Sequence, residues 1–332
     1  MKILFIGGTG IISSACSALA LARGHSLYLL NRGQSTRPLP AGAIVLHGDI
    51  RQRDSALAAL GDHHFDAVVD WVAFTPEHAQ NDLELFRERA AQYVFISSAS
   101  AYQTPPNFLP VSESTPLHNP FWEYSRNKAA CETLLLDAYR NENFPITVVR
   151  PSHTYDRTLL PFHDGFTTVQ RMRQGKQVVV HGDGTSLWTL THNTDFAVGF
   201  LGLLGNPHAL GETFHITSDE WLSWNQIYQI VGQAAGVEPK LVHVPSAVIA
   251  AYDPVWGASL LGDKTHSMIF DNSKIRRLVP EFQPRIPFFQ GAREIIAWHD
   301  ADPARQAINP WCDALHDRLA AAIESILPPA QS

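Results

Sequence analysis

Short, wholly apolar runs alternate with longer stretches of helical pattern through the first half of the chain. The opening run, Ile3-Leu4-Phe5-Ile6, has no polar position on either side, as expected of a parallel strand buried on both faces. It breaks into Gly7-Gly8-Thr9-Gly10. An alanine- and leucine-rich stretch, Ile11 to Ala22, follows and stops at Gly24, which suits a helix with a glycine C-cap. Further strands are predicted at Ser26–Leu30, Ala43–Leu46, Ala67–Trp71, Tyr93–Ser97 and Ile146–Val149. Helical patterns between them run over Ser55–Gly61, Glu77–Ala91 and Tyr124–Arg140. Strand and helix in this alternation predict an α/β fold with a doubly wound parallel sheet and right-handed crossovers.

Beyond Pro151 the rhythm changes. Proline, glycine and histidine become frequent, the strand candidates Gln177–Val180, Thr213–Ile216 and Lys240–Val244 are short, and Trp188, Trp221, Trp224 and Trp256 fall in loops. A dinucleotide-binding domain is expected over 1–155, with a return segment at about 186–205. A smaller C-terminal α/β substrate domain is expected over 156–185 and 206–330, lying over the carboxyl edge of the sheet where open α/β folds bind ligands. Asp195–Leu204 reads as an apolar helix that returns to the first domain. Pro310 to about Leu327 reads as an amphipathic packing helix.

Composition narrows the class. The 332 residues are 45% hydrophobic and 17% charged, with a formal charge of −7, which describes a globular chain and argues against a nucleic-acid surface. Cys16, Cys131 and Cys312 are far apart in sequence, as in proteins of a reducing compartment. Neither a signal peptide nor an apolar run of membrane-spanning length is recognised, so the expected location is cytoplasmic, with no membrane partner. Sixteen histidines form no helical ligand pair, and no metal is expected.

The glycine turn carries the first chemistry. Strand, Gly7-x-x-Gly10-x-x-Ser13 and helix bring a diphosphate against a helix N-terminus, where free N–H groups and the dipole favour an anion. Ser13 takes the place of the third glycine. The second element is Tyr124-Ser125-Arg126-Asn127-Lys128, whose tyrosine and lysine lie one turn apart on a helix. A phenol titrates near ~10; a neighbouring ammonium, together with a cationic nicotinamide ring, lowers that value and fits the tyrosine to move a carbinol proton. Ser98, at the end of a strand, is placed to hold the same oxygen.

The chain resembles the extended short-chain dehydrogenase/reductases of the NAD-dependent epimerase/dehydratase family over nearly its whole length. The likeness rests on Gly7-Gly8-Thr9-Gly10, Gly48-Asp49-Ile50, Ser98 and Tyr102, Tyr124/Lys128, Arg150-Pro151-Ser152-His153-Thr154-Tyr155, Gly182-Asp183-Gly184-Thr185 and Asp271-Asn272-Ser273-Lys274. The resemblance implies a Rossmann-type fold, an NAD(P) cofactor, a small-molecule substrate and a homodimer formed through the Tyr124 helix and Glu77–Ala91. It implies Tyr124 as acid/base, completed by Ser98 and Lys128. Cofactor contacts are implied at Gly7, Thr9, Gly10, Ile11, Ile12, Asn31, Arg32, Asp49, Ile50, Val72, Ala73, Phe74, Lys128, Pro151 and His153. Ser100, Trp188 and His192 are candidate substrate contacts.

Departures from the family pattern shape the expectation. Asn31-Arg32 replaces the aspartate that accepts from the ribose hydroxyls, which favours NADP over NAD because Arg32 can pair with a 2′-phosphate. Ala99-Ser100 replaces the Asp-Glu of the dehydratases, which argues that no carboxylate is placed for elimination. Trp188 stands where an arginine clamps the substrate diphosphate, and His153 where an asparagine is common. The expected activity is oxidation, reduction or epimerisation at a secondary carbinol or ketone of a sugar-like or small natural-product substrate. An exchanging NADPH-dependent ketone reductase is the first alternative. A non-catalytic nucleotide- or RNA-associated binding protein on the same scaffold is the second.

Overall fold

The computed structural model describes residues 1–325. Its largest sheet has seven parallel strands: β1 (Lys2–Ile6), β2 (Ser26–Asn31), β3 (Ile44–His47), β4 (Ala67–Asp70), β5 (Tyr93–Ile96), β6 (Ile146–Pro151) and β11 (Thr213–Ile216), in the spatial order β11-β6-β5-β4-β1-β2-β3. β4, β5 and β6 are buried at every position, because helices cover both faces. α1 (Ile11–Ala22) packs beside α6 (Asn193–Leu203) on one side. α2 (Arg53–Leu60), α3 (Pro76–Phe86) and α4 (Glu123–Glu142) lie on the other. Strand order reverses between β1 and β4, so the crevice at their carboxyl ends opens between Gly7–Gly10 and Val72–Phe74.

The second unit is built from β7 (His153–Tyr155), α5 (Phe166–Arg173), β8 (Gln177–His181), β9 (Leu187–Trp188), β10 (Leu190–His192), β12 (Leu222–Ser223), α7 (Trp224–Ala234) and β13 (Lys240–Val244). Its strands form three separate pairs, β7 with β10, β8 with β13 and β9 with β12. The aromatic core around Trp188, Trp224, Tyr228 and Phe288 is distinct from the cores of the large sheet. Trp188, Trp224 and Trp256, expected in loops, are buried and lie on or in regular elements, whereas Trp221 is exposed.

One part of the expected domain division is corrected. Thr213–Ile216 pairs with β6 and forms the edge of the large sheet. Ile275, Val279 and Phe282 pack into the same core as α1 and α6. The chain therefore returns to the first unit more than once after residue 156. Alternation in the strand reads Phe214 and Ile216 as buried, but nothing local says which sheet receives them. The helix expected from Pro310 to about Leu327 runs Pro310–Glu324, and its last expected residues lie outside the described ones.

A buried ion pair joins α4 to the sheet. Arg150 on β6 makes a two-nitrogen contact with Glu132 (2.5 Å at Nη2, 2.9 Å at Nε), and Ser97 donates to the same carboxylate. Removing one partner strands the other charge away from water, which costs about 3–5 kcal/mol. Glu132→Ala is expected to lower unfolding free energy by about that much in urea. Glu132→Leu with Arg150→Met is expected to recover most of it, and equal losses in the single and double variants would contradict the pairing.

Candidate active site

The crevice begins with the glycine turn. Gly7 and Gly8 have φ of 99° and 94°, and a Cβ at Gly8 would lie 2.6 Å from the Leu29 side chain. Ser13, in place of the third glycine, accepts from Gly10 N at 2.8 Å and stays buried at the helix–strand contact. Gly10 gives α1 no side-chain cap, and the first turn carries no acidic residue. The helix N-terminus thus fits an anion, and the backbone leaves room for it. These features suit a dinucleotide diphosphate over Gly7, Thr9, Gly10, Ile11 and Ile12.

Around this turn the sequence-predicted groups fall along one edge. Asn31 Oδ1 accepts from Gly33 N at 3.0 Å, while Arg32 is exposed. Asp49 accepts from Arg51 N, and Ile50 is buried beside it. Val72 and Ala73 donate to Asp70 Oδ1, which fixes the turn after β4; Phe74 is 44% exposed there. A segment not anticipated from the sequence crosses the glycine turn. Ser35 meets Thr9 at 3.1 Å, and Arg37 reaches Asp156 at 2.7 Å and Thr158 at 2.5 Å.

Helix α4 presents Tyr124 and Lys128 at the carboxyl ends of β4 and β5. Lys128 Nζ donates to the Ala73 and Ile96 carbonyls at 2.6 and 2.7 Å. Burial lowers its pKa to about 8, opposed by the field of Asp70. Tyr124 lies between Trp122 and Phe74, with ring centroids 4.9 and 6.5 Å away. Its pKa is raised, chiefly by burial; the Ser98 hydroxyl pulls it down and Asp263 pushes it up. Lys128 Nζ sits 5.8 Å from the phenol ring centroid and is engaged with carbonyls.

Ser98 and Ser100 meet at 2.9 Å, and Ser125 donates to Ser100 at 2.7 Å. This chain borders a cavity of about 280 Å³ lined by Ser98, Ser100, Tyr124, Pro151, His153 and Trp188, among others. Trp188 Nε1 donates to His153 Nδ1 at 3.2 Å, which leaves the ring proton on Nε2. Burial, aided by the charge of Lys264, lowers the His153 pKa to about 3, so the ring is neutral. His192 is corrected. It caps α6, contacts Glu294 at 3.2 Å, and opens onto a different cavity of about 820 Å³ with Thr9 and Arg37.

Asp263 and Lys264 also line the Tyr124 cavity. They put a carboxylate and an ammonium on the wall of this cavity, from a part of the chain remote from Ala99 and Ser100. Lys264 also places an ammonium 5.7 Å from the Trp188 ring centroid, near where the arginine clamp is missing. In sequence they are an acid and a base at the start of a polar stretch, Asp263 to Ser267, after Leu260-Leu261-Gly262, and nothing local ties them to Tyr124. Among the described residues no cluster could hold a metal, and no helix is long and apolar enough to cross a membrane.

A Rossmann-type sheet with a glycine turn at its switch point and a Ser/Tyr/Lys set at its edge defines a dinucleotide-binding fold of the extended short-chain dehydrogenase/reductase type. The chain belongs to the NAD dependent epimerase/dehydratase family, which residues 3–217 match. It is 29% identical over 257 residues to the chloroplast stem-loop binding protein of 41 kDa b of Arabidopsis thaliana, covering 73% of this chain and 65% of that protein. It is 28% identical over 167 residues to an uncharacterized UDP-glucose epimerase of Bacillus subtilis, covering 50% of this chain and 52% of that one. The chain thus spans less than two thirds of the length of either relative. In structure it resembles UDP-glucuronic acid 4-epimerase from Bacillus cereus in complex with UDP-glucuronic acid and NAD, with TM-score 0.72, 19% identity, and coverage of 91% and 99%.

The environment of Lys128 is open to direct measurement. Because its pKa is lowered, its charge is lost as pH rises through about 8, not through the 10.5 of an ordinary lysine. NMR of the Nζ resonance is expected to titrate near that lower value. Dinucleotide affinity should fall over the same range and become pH-independent there in Lys128→Met. A midpoint at or above the ordinary value would mean the ammonium is solvated.

Proposed function

We propose that this protein is an NAD(P)-dependent oxidoreductase or epimerase acting on a secondary carbinol or ketone of a sugar-like or small cyclic substrate, with Tyr124 as acid/base. The observation that carries the reading is that Tyr124 and Ser98 line one 280 Å³ cavity, with the Lys128 ammonium buried one helical turn away, 5.8 Å from the Tyr124 ring centroid. When bound, the dinucleotide supplies the hydride acceptor or donor. Tyr124 gives its phenolic proton to the substrate carbonyl oxygen on reduction and takes it back on oxidation. Ser98 holds that oxygen and, through Ser100 and Ser125, is itself held. Lys128 orients the ribose and, as a cation, limits the cost of phenolate when Tyr124 has given up its proton.

The glycine turn would hold the diphosphate, Asp49 and Ile50 the adenine, and Val72, Ala73 and Phe74 the middle of the cofactor. Pro151 and His153 would border the nicotinamide. Arg32 is exposed with no acidic neighbour placed at Asn31, which supports NADP over NAD. Trp122 and Trp188 suit a ring stacked in the cavity. A cofactor retained through turnover would make the enzyme an epimerase; one that exchanges would make it a reductase or dehydrogenase. Homodimerisation through α3 and α4, which pack together, is part of this proposal. A second reading, nucleic-acid binding, is favoured by the name of the stem-loop binding relative and opposed by the charge of −7.

Denaturing the purified protein and identifying any released dinucleotide tests the cofactor, followed by titration of empty protein with NAD(H) and NADP(H). Arg32→Ala is expected to weaken NADP binding by roughly 10- to 100-fold and NAD binding little, the worth of a charged hydrogen bond. Equal effects on the two would overturn the NADP preference. Tyr124→Phe is expected to lower turnover about 10²- to 10⁴-fold, and retention of wild-type turnover would remove it from the mechanism. Salt-sensitive stem-loop RNA binding at sub-micromolar strength, with no dinucleotide bound, would replace this reading by the second.

A further inference from the structure

We propose that Asp263 is a second proton-transfer residue of this site, supplied by the C-terminal part of the chain in place of the carboxylates absent at Ala99 and Ser100. The inference rests on the reading of Tyr124 above and adds to it a proton taken from carbon. Asp263 lies in a π-helical turn, Leu260–Lys264, closed by Thr265 N donating to Leu260 O at 2.9 Å. Such turns insert one extra residue and recur at functional sites. Here the turn sends two successive side chains, Asp263 and Lys264, to the wall of the cavity that holds Tyr124.

The turn is firmly positioned. Asn119 Nδ2 donates to Gly262 O at 2.6 Å, and His181 Nε2 and Ser186 Oγ both donate to Lys264 O at 3.0 Å. A Cβ at Gly262 would stand 2.7 Å from the Trp122 side chain, so the turn presses directly on the start of α4. Among the described residues no side chain satisfies the Asp263 carboxylate fully. Its one charged partner, Lys264 Nζ, is 3.7 Å away, and the Asp263 side chain is 15% exposed. The other titratable groups facing the cavity are Tyr124, whose pKa is raised by burial, and His153, which is neutral. Burial raises Asp263 to about 6, with Lys264 opposing, so it is poised to accept or return a proton near neutrality.

The added step balances without a new reactant. As hydride leaves the carbinol for the bound dinucleotide, the phenolate form of Tyr124 takes the hydroxyl proton, leaving a carbonyl and a neutral phenol. Asp263 then takes the proton from the adjacent carbon. The C–H electron pair moves into the carbonyl to give an enolate, whose oxygen is protonated by Tyr124 or held by Ser98. Return of a proton to that carbon from Asp263 restores the ketone. In D₂O the returned proton is a deuteron.

The test uses NAD- or NADP-loaded protein in D₂O with UDP-glucose, UDP-glucuronic acid, dTDP-glucose and methyl glucoside, read by proton NMR and by absorbance of the reduced cofactor. The expected result is deuterium at a carbon next to an oxidised carbinol in at least one of the four. Asp263→Asn should lower the ratio of deuterium incorporated to cofactor reduced by at least about 100-fold. Its thermal midpoint should remain close to that of the wild type, and Asp263→Glu should restore part of the ratio. In the wild type that ratio should rise with pH through about 6 and be flat in Asp263→Asn. Cofactor reduction without exchange, or an unchanged ratio in Asp263→Asn, overturns this proposal and leaves the Tyr124 reading standing. Absence of both reduction and exchange overturns the two together.

Discussion

The site depends on a buried ammonium held by two backbone carbonyls. Lys128 Nζ bonds to Ala73 O, in the turn after β4, and to Ile96 O, at the end of β5. A cation this far from water is costly unless its donors are met, so its two bonds fix α4 in height and rotation against the sheet. Tyr124, one turn earlier, inherits that position. Arg150 and Glu132 lock the same helix one turn later. The phenol is therefore placed by charges it does not itself contact.

The electrostatics of the cavity follow from this placement. Burial raises the Tyr124 phenol, keeps the His153 ring neutral and raises the Asp263 carboxyl, three effects of one low-dielectric wall. Ser98 is the local influence pulling Tyr124 the other way. The result is a set of groups poised on both sides of neutrality within one small space. Trp122 and Trp188 supply its apolar walls, and Lys264 its ammonium.

Much of the first unit was legible because its signals are local. The apolar runs that predict β1, β2, β4, β5 and β6 are strands because both faces are covered, and covered strands need no alternation. The glycine turn was legible because its φ values exclude most side chains. Helix ends were less so: α3 stops at Phe86, although the helical pattern runs on to Ala91. His192 misled, since its spacing from Trp188 suggests a shared pocket, while the chain turns into α6 between the two cavities.

By itself the sequence determined the βα alternation, the dinucleotide turn and the one-turn spacing of Tyr124 and Lys128, because each is set by contacts within a few residues. Only the tertiary structure decided that Thr213–Ile216 completes the large sheet and that Arg37 crosses the glycine turn to Asp156. It alone decided that Asp263 and Lys264 face Tyr124. These contacts join residues roughly sixty to 140 positions apart. Their pairing is fixed by which buried surfaces and charges find partners on folding, and no local periodicity records that choice.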